Sequence, residues 1–100
     1  MREKNIETYL VNQCCKRGWL CEKFVSPGKA GVPDRLICCP GGFACFAEVK
    51  APGERPRKLQ IIDHQERRAL GFEVFVPDTK PAVDLLIAEI ERIIHDRRTI

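Results

Sequence analysis

The sequence predicts an α/β domain with the element order αβββαβα, and three observations support this fold class. Apolar residues recur at helical spacing near both ends of the chain and again between residues 57 and 70. Four short segments rich in apolar, aromatic and β-branched residues lie between Gly- and Pro-rich turns, as strands do. A hairpin followed by a strand–helix–strand crossover predicts a mixed central sheet flanked by helices. With 100 residues, the chain 1–100 has room for one domain.

The first half of the chain is predicted to form a helix and three strands. The helix covers Glu3–Arg17, and Gly18 is a typical helix stop. Its apolar stripe consists of Ile6, Leu10 and Cys14. A hairpin turn at Pro40–Gly42 joins the second and third strands. The three predicted strands are Trp19–Val25, Asp34–Cys39 and Phe43–Lys50.

The second half is predicted to add a helix, a strand and a long final helix. The second helix covers Arg57–Leu70 and is stopped by Gly71, and the fourth strand is Phe72–Val76. The last helix opens near Thr79, with Pro81 in its first turn. Its apolar face consists of Val83, Leu86, Ile87, Ile90, Ile93 and Ile94.

Composition and charge exclude some classes of protein. The longest apolar run is far shorter than the ~20 residues of a membrane span, and no secretory signal precedes the first helix. We therefore expect a cytoplasmic protein.

The chain is mildly basic. Lys plus Arg is 17 and Asp plus Glu is 14, which gives a formal net charge of 17 − 14 = +3. The segment 50–68 is locally basic and suits a phosphate-binding surface; its cations are Lys50, Arg55, Arg57, Lys58, Arg67 and Arg68.

The chain contains six cysteines, a high number for its length. No two have C-x-x-C spacing, and no secretory signal indicates an oxidising compartment. We therefore expect reduced, metal-free thiols that act as small core residues, and this spacing disfavours a thiol or zinc protein.

Two acidic residues of the predicted hairpin indicate a candidate functional site. Asp34 lies six residues before Pro40, and Glu48 lies six residues after Gly42. Their carboxylates should therefore be neighbours across the ladder, where they repel each other unless a cation separates them. Because side chains alternate along a strand, Lys50 lies on the same face as Glu48. Two carboxylates with open positions for water and phosphate are typical of a Mg²⁺ site.

The two flanking helices offer further polar candidates. Glu7 falls within the apolar arc of the first helix, with Glu3 on the same arc nearer the end. In the second helix, Gln60, His64 and Arg67 form a polar stripe that starts near Lys50, although a lone histidine is more often a surface residue. The opposite stripe consists of Leu59, Ile62, Ala69 and Leu70.

The D…E-x-K arrangement of Asp34 and Glu48–Lys50 is the signature of restriction-endonuclease-like nucleases, of the PD-(D/E)XK superfamily. More narrowly, the chain resembles the stand-alone, phage-type form of the virus-type replication-repair nuclease (VRR-NUC) domain. The match runs from about residue 3 to residue 76. It is carried by Lys23–Gly28, Gly31–Arg35, Ala47–Gly53, and Gln60 eleven residues before Gly71.

This resemblance implies a restriction-endonuclease-like αβββαβ core plus a C-terminal helix, and DNA phosphodiester hydrolysis with Mg²⁺ or Mn²⁺. Lys50 would orient or deprotonate the attacking water, and Gln60 would line the site. Glu7 matches the acid of the first helix, and Glu3 is its rival. The implied metal ligands are Asp34, Glu48, the Val49 backbone carbonyl and Glu7. DNA contacts are expected from Lys23, Ser26, Arg35, Arg55, Arg57, Lys58 and Arg67.

The resulting hypothesis is a metal-dependent, structure-specific endonuclease that acts as a homodimer on branched DNA such as four-way junctions. Ile93, Ile94 and Ile100 extend beyond what one sheet face covers and are candidate dimer contacts. The alternatives are a monomeric flap- or end-directed nuclease, a non-catalytic DNA-binding module with this fold, and a subunit active only with a partner.

Overall fold

A computed structural model describes residues 2–98 of the protein. The elements are α1 (Glu3–Lys16), β1 (Leu20–Lys23), β2 (Arg35–Cys38), a 3₁₀ turn (Pro40–Gly42), β3 (Ala44–Ala47), α2 (Lys58–Ala69), β4 (Val74–Phe75) and α3 (Lys80–Arg98). This order confirms the predicted αβββαβα arrangement. The strands are shorter than predicted, so the residues of the D…E-x-K signature lie just beyond the ends of β2 and β3.

The four strands form one mixed sheet in the order β1-β2-β3-β4. The first two pairings are antiparallel, and β3 pairs with β4 in parallel. In the β2–β3 hairpin, Arg35 lies opposite Ala47. Backbone hydrogen bonds between the β3 and β4 segments continue beyond the end of β3, since the N–H groups of Glu48 and Lys50 donate to the carbonyls of Phe75 and Pro77. The predicted α/β fold with a mixed sheet is therefore confirmed, and β3 is an inner strand of that sheet.

The main core lies between the sheet and the pair α1 and α3. Alternation along β3 and just beyond its end sends Cys45, Ala47 and Val49 into this core. The apolar stripes of α1 and α3 supply the other side of the core, namely Ile6, Leu10, Cys14, Val83, Leu86, Ile87, Ile90 and Ile94.

The predicted dimer contacts on the last helix need a correction. Ile94 is 8% exposed and belongs to the core of its own chain, because it packs back onto the sheet with the rest of the α3 stripe. Ile93 is half-buried, and Ile100 lies outside the described residues. The end of α3 therefore offers little free apolar surface among residues 2–98.

Helix α2 buries polar residues and leaves its large apolar residues exposed, the reverse of an ordinary amphipathic helix. Its buried residues are Asp63 and His64, so the prediction that His64 is a surface residue is wrong. The reason is that α2 packs over the buried Glu48 and Lys50 just beyond the end of β3, and polar side chains such as Gln60 satisfy these groups better than apolar ones. The large apolar side chains that α2 and its C-terminal end leave exposed are Leu59, Ile61, Ile62 and Leu70.

Two further predictions concern membranes and thiols. Within residues 2–98, no helix is both long and apolar enough to cross a membrane. All six cysteines are free thiols in the structure, and Cys14 and Cys45 are core residues as expected. Cys15 is exposed.

Candidate active site

The carboxylates of Asp34 and Glu48 meet at the open end of the β2–β3 hairpin, one step beyond the Arg35–Ala47 pair. Asp34 Oδ2 accepts a hydrogen bond of 3.2 Å from the Val49 N–H. Burial, reinforced by the negative charge of Asp34, raises the pKa of Glu48 to about 8. Two acids held this close in a dry environment form a site that favours an added cation.

One oxygen of Glu48 is held by two polar side chains. Glu48 Oε2 accepts a hydrogen bond of 3.1 Å from Gln60 Nε2 and lies 3.6 Å from Lys50 Nζ. Gln60 is itself fixed, because its Oε1 accepts from the Arg57 N–H at 2.8 Å. The Lys50 side chain is only 11% exposed, so its ammonium group points into the site and not into bulk water.

The other oxygen of Glu48 is unpaired. Glu48 Oε1 and His64 Nε2 are buried, lie 3.9 Å apart, and have no hydrogen-bond partner within residues 2–98. Burial, with a smaller effect of the Arg68 charge, lowers the pKa of His64, which favours a neutral imidazole. A buried oxygen without a partner is costly, and a cation at this point would satisfy it.

The donor set fits a hard divalent cation. Asp34 and Glu48 offer carboxylate oxygens, and Mg²⁺ keeps several waters when one or two carboxylates bind it. The Val49 carbonyl as a further ligand remains a prediction. Mn²⁺ prefers the same carboxylate and carbonyl oxygens. Within residues 2–98, no three His, Cys, Asp or Glu side chains are grouped as a metal cage. The structure therefore does not gather Glu7 with the two hairpin carboxylates.

Glu7 instead has a protein partner. Its Oε2 accepts a hydrogen bond of 2.8 Å from Arg35 Nε, and Arg35 Nη1 also donates to the Cys21 carbonyl. The Glu7 and Arg35 side chains are 25% and 14% exposed, so the ion pair is largely shielded from water. Glu7 as a metal ligand and Arg35 as a DNA contact both remain predictions, and each would have to loosen this pair.

A groove of about 510 Å³ opens beside Asp34. Its lining residues are Glu3, Lys4, Glu7, Lys23, Phe24, Val25 and Asp34. The groove thus brings both first-helix acids and the predicted DNA contact Lys23 to the edge of the site. Ser26 is half-buried, whereas Arg55, Arg57 and Lys58 are exposed at the start of α2. Arg67 is largely withdrawn into contacts with Asp63 and two aromatic rings.

Comparison with known proteins decides the family. No protein-family model matches the chain. It is 46% identical over 88 residues to "Putative nuclease p44" of Acyrthosiphon pisum secondary endosymbiont phage 1, covering 88% of this chain and 95% of the relative. A solved VRR-NUC domain superposes with a TM-score of 0.82 at 32% identity, covering 86% of this chain and 94% of that domain. The chain belongs to the VRR-NUC family.

Two residues that flank this VRR-NUC site, Asp63 and Lys29, were not singled out from the sequence. Asp63 is 1% exposed and forms ion pairs with the side chains of Lys29 and Arg67, although from the sequence it is one acidic residue in a basic segment. Lys29 lies in a turn-rich loop with no pattern around it. The i, i+4 spacing of Asp63 and Arg67 is the one signal that was available.

The pKa of Glu48 predicts how the stability of the metal-free protein depends on pH. Because this pKa lies above the ordinary value of 4.5, the folded protein retains a proton that the unfolded chain has lost. The free energy of unfolding should therefore fall as the pH rises toward about 8, by at most about 1.4 kcal/mol per pH unit. His64 acts in the opposite direction below about pH 6.5, which makes pH 6.5–8 the clearest window.

Urea unfolding in EDTA across this window would measure the slope. The Glu48→Gln variant should lack the Glu48 contribution, so the difference between the two proteins isolates it. Parallel pH profiles for wild type and variant would contradict the assignment.

Proposed function

We propose that this VRR-NUC protein is a Mg²⁺- or Mn²⁺-dependent DNA endonuclease that hydrolyses phosphodiester bonds in branched DNA. The observation that carries the proposal is the convergence of Asp34, Glu48 and Lys50 at the edge of an open groove. A fold shared with a VRR-NUC domain and a relative named as a nuclease support it. Since DNA is in the cytoplasm of the bacterial host, we also propose that location.

Each residue of the site has a chemical role in this proposal. Asp34, Glu48 and the Val49 carbonyl would hold the metal, which when bound activates water and neutralises phosphate charge. As an ammonium group, Lys50 would orient the attacking water and offset the charge on the scissile phosphate; as a neutral amine, it would instead take the proton of that water. Gln60 holds Glu48 Oε2 so that the carboxylate does not rotate away from the site.

The surroundings of the site suit a nucleic-acid backbone. Lys23 borders the groove, and Arg55, Arg57 and Lys58 are exposed cations on the loop and helix that follow the D…E-x-K signature. Phosphate contacts release counterions, so binding should weaken steeply as salt increases. The proposal therefore assigns phosphate binding to these four residues.

The experiment that tests this function uses purified protein and end-labelled linear, flapped and four-way DNA. We expect cleavage with Mg²⁺ or Mn²⁺, none with EDTA, and preference for the four-way junction. Cleavage confined to flaps or linear ends would leave a nuclease of different specificity. Binding without cleavage under every metal condition would indicate a non-catalytic or partner-dependent module and contradict the proposal.

The proposal includes a homodimer, since one chain carries one site and symmetric incision of a junction needs two sites related by a two-fold axis. Four of the exposed large apolar residues lie together on α2 and at its end, where Leu59 is 59% and Leu70 is 79% exposed, and we assign the dimer contact to them. We expect light scattering at micromolar concentration to give about twice 11.4 kDa. The double variant Leu59→Glu and Leu70→Glu should halve that mass, and a wild-type mass near 11.4 kDa would count against the dimer.

A further inference from the structure

Asp63 is a buried carboxylate with two cationic partners from different parts of the chain. Its side chain is 1% exposed. Asp63 Oδ1 lies 2.7 Å from Lys29 Nζ, and Oδ2 accepts a hydrogen bond of 2.8 Å from Arg67 Nε. Lys29 Nζ also donates to Oε1 of the exposed Glu66 on α2 at 2.8 Å, so Asp63 is the buried one of two carboxylates that bind it. Arg67 is one helical turn further along α2, whereas Lys29 belongs to the loop between β1 and β2. The carboxylate therefore connects α2 to that loop.

This connecting loop, residues 24–33, leads directly into Asp34. It touches α2 at a second point, because the backbone of Gly31 lies against the Leu59 carbonyl. The first turn of α2 also carries Gln60, whose side chain holds Glu48. Helix α2 thus contacts both the loop that precedes Asp34 and the side chain of Glu48.

Arg67 extends the same network to the wall of the groove. Its guanidinium lies 5.2 Å from the centroid of the Phe24 ring and 4.7 Å from that of Phe46. Phe24 lines the groove beside Asp34, and its N–H donates to the Asp34 carbonyl at 2.8 Å. Through Arg67 and Lys29, Asp63 is therefore connected to the first residue and to the middle of the loop, without reaching the groove itself.

We propose that Asp63 is a positioning residue: through Lys29 and Arg67 it holds the loop 24–33 in the place that Asp34 needs to bind a divalent cation. This inference rests on the metal site of the proposed function. An ordered loop presents Asp34 already in position, whereas a loosened loop has to be ordered when the cation binds. Residues that orient metal ligands typically contribute 10- to 100-fold to metal affinity.

The test is a Mg²⁺ titration of the full chain without DNA, followed by the amide resonance of Val49, whose N–H donates to Asp34 Oδ2. We expect Lys29→Met and Asp63→Asn to raise the Mg²⁺ concentration at half-saturation about tenfold. Lys29→Arg, which keeps the ion pair, should stay near wild type. Lys16→Met, at the exposed end of α1, removes the same charge far from the loop and should have no effect.

Lys29→Met separates positioning from simple electrostatics. Removing a positive charge near a cation site should by itself strengthen Mg²⁺ binding. Weaker Mg²⁺ binding by Lys29→Met would therefore be opposite to the electrostatic effect of removing the charge, and it would support a positioning role. The variant also leaves the Asp63–Arg67 pair in place, so it should remain folded even where Asp63→Asn does not.

Amide hydrogen exchange in the metal-free protein gives an independent measurement. Phe24 and Lys29, whose N–H groups donate to the carbonyls of Asp34 and Ser26, should exchange faster in Lys29→Met. Wild-type Mg²⁺ affinity, or tighter binding, together with wild-type exchange would overturn the inference. A wild-type protein whose Val49 resonance does not respond to Mg²⁺ at all would overturn the metal site on which it rests.

Discussion

Replacement of Glu48 by glutamine should abolish DNA cleavage while making the metal-free protein more stable at pH 8. Cleavage is expected to fall at least about 10³-fold, because the site loses a charged metal ligand and the partner of Lys50. Stability should rise because the variant removes a buried carboxyl group with an unpaired oxygen beside Asp34. Glutamine keeps the shape of the side chain and the capacity to bond Gln60.

Asp34→Ala and Lys50→Ala should also abolish cleavage with the fold intact, while the exposed Glu22→Gln should cleave at the wild-type rate. Cleavage of a junction in Mg²⁺ and urea unfolding in EDTA measure the two halves of the prediction. Wild-type cleavage in all three site variants would falsify the active-site assignment. A large loss of stability in Glu48→Gln would contradict the repulsion between the two carboxyl groups.

Gly31→Ala should destabilise the protein by roughly 2–5 kcal/mol and reduce cleavage in the fraction that still folds. Gly31 has a φ of +86°, and a Cβ there would lie 2.6 Å from the Leu59 carbonyl oxygen. The added methyl group would push the loop 24–33 away from the first turn of α2. Since that loop leads into Asp34, loss of stability and loss of activity should occur together.

Two matched glycines separate the causes of this effect. Gly53 has a φ of +80° with open space around it, so Gly53→Ala tests the left-handed backbone alone and should cost about 1–2 kcal/mol. Gly28 lies in the same loop, also in open space, and Gly28→Ala should be nearly neutral. Urea unfolding of the three variants provides the comparison. Equal destabilisation by Gly31→Ala and Gly53→Ala would show that the close approach to Leu59 has no effect.

The parts of the site that depend on local pairing could be predicted from the sequence. Asp34 and Glu48 lie at equal distances from the hairpin turn, and antiparallel pairing then makes them neighbours. Alternation along β3 likewise places Lys50 with Glu48 and sends Val49 to the opposite face. These relations need only the period of a strand and the position of a turn.

The parts that depend on packing between elements could not be predicted in this way. The polar stripe of α2 could be recognised from its spacing, but the burial of His64 against Glu48 depends on how α2 packs beyond the end of β3. The pairing of Glu7 with Arg35 requires the position of α1 against β2. Lys29 reaches Asp63 only because the loop folds onto α2, a contact between residues 34 positions apart.

The inverted orientation of α2 has a consequence for how this protein can tolerate mutation. One face of the sheet packs against the apolar stripes of α1 and α3, whereas the other combines the Phe24, Phe46 and Phe72 rings with the buried charged and polar groups beneath α2. Changes on the first face should alter how many molecules are folded. Changes on the second should alter what each folded molecule can do, and some apolar substitutions there would increase stability at the expense of chemistry. Substitutions that change the amount of folded protein and substitutions that change its turnover should therefore fall largely on opposite sides of a single sheet.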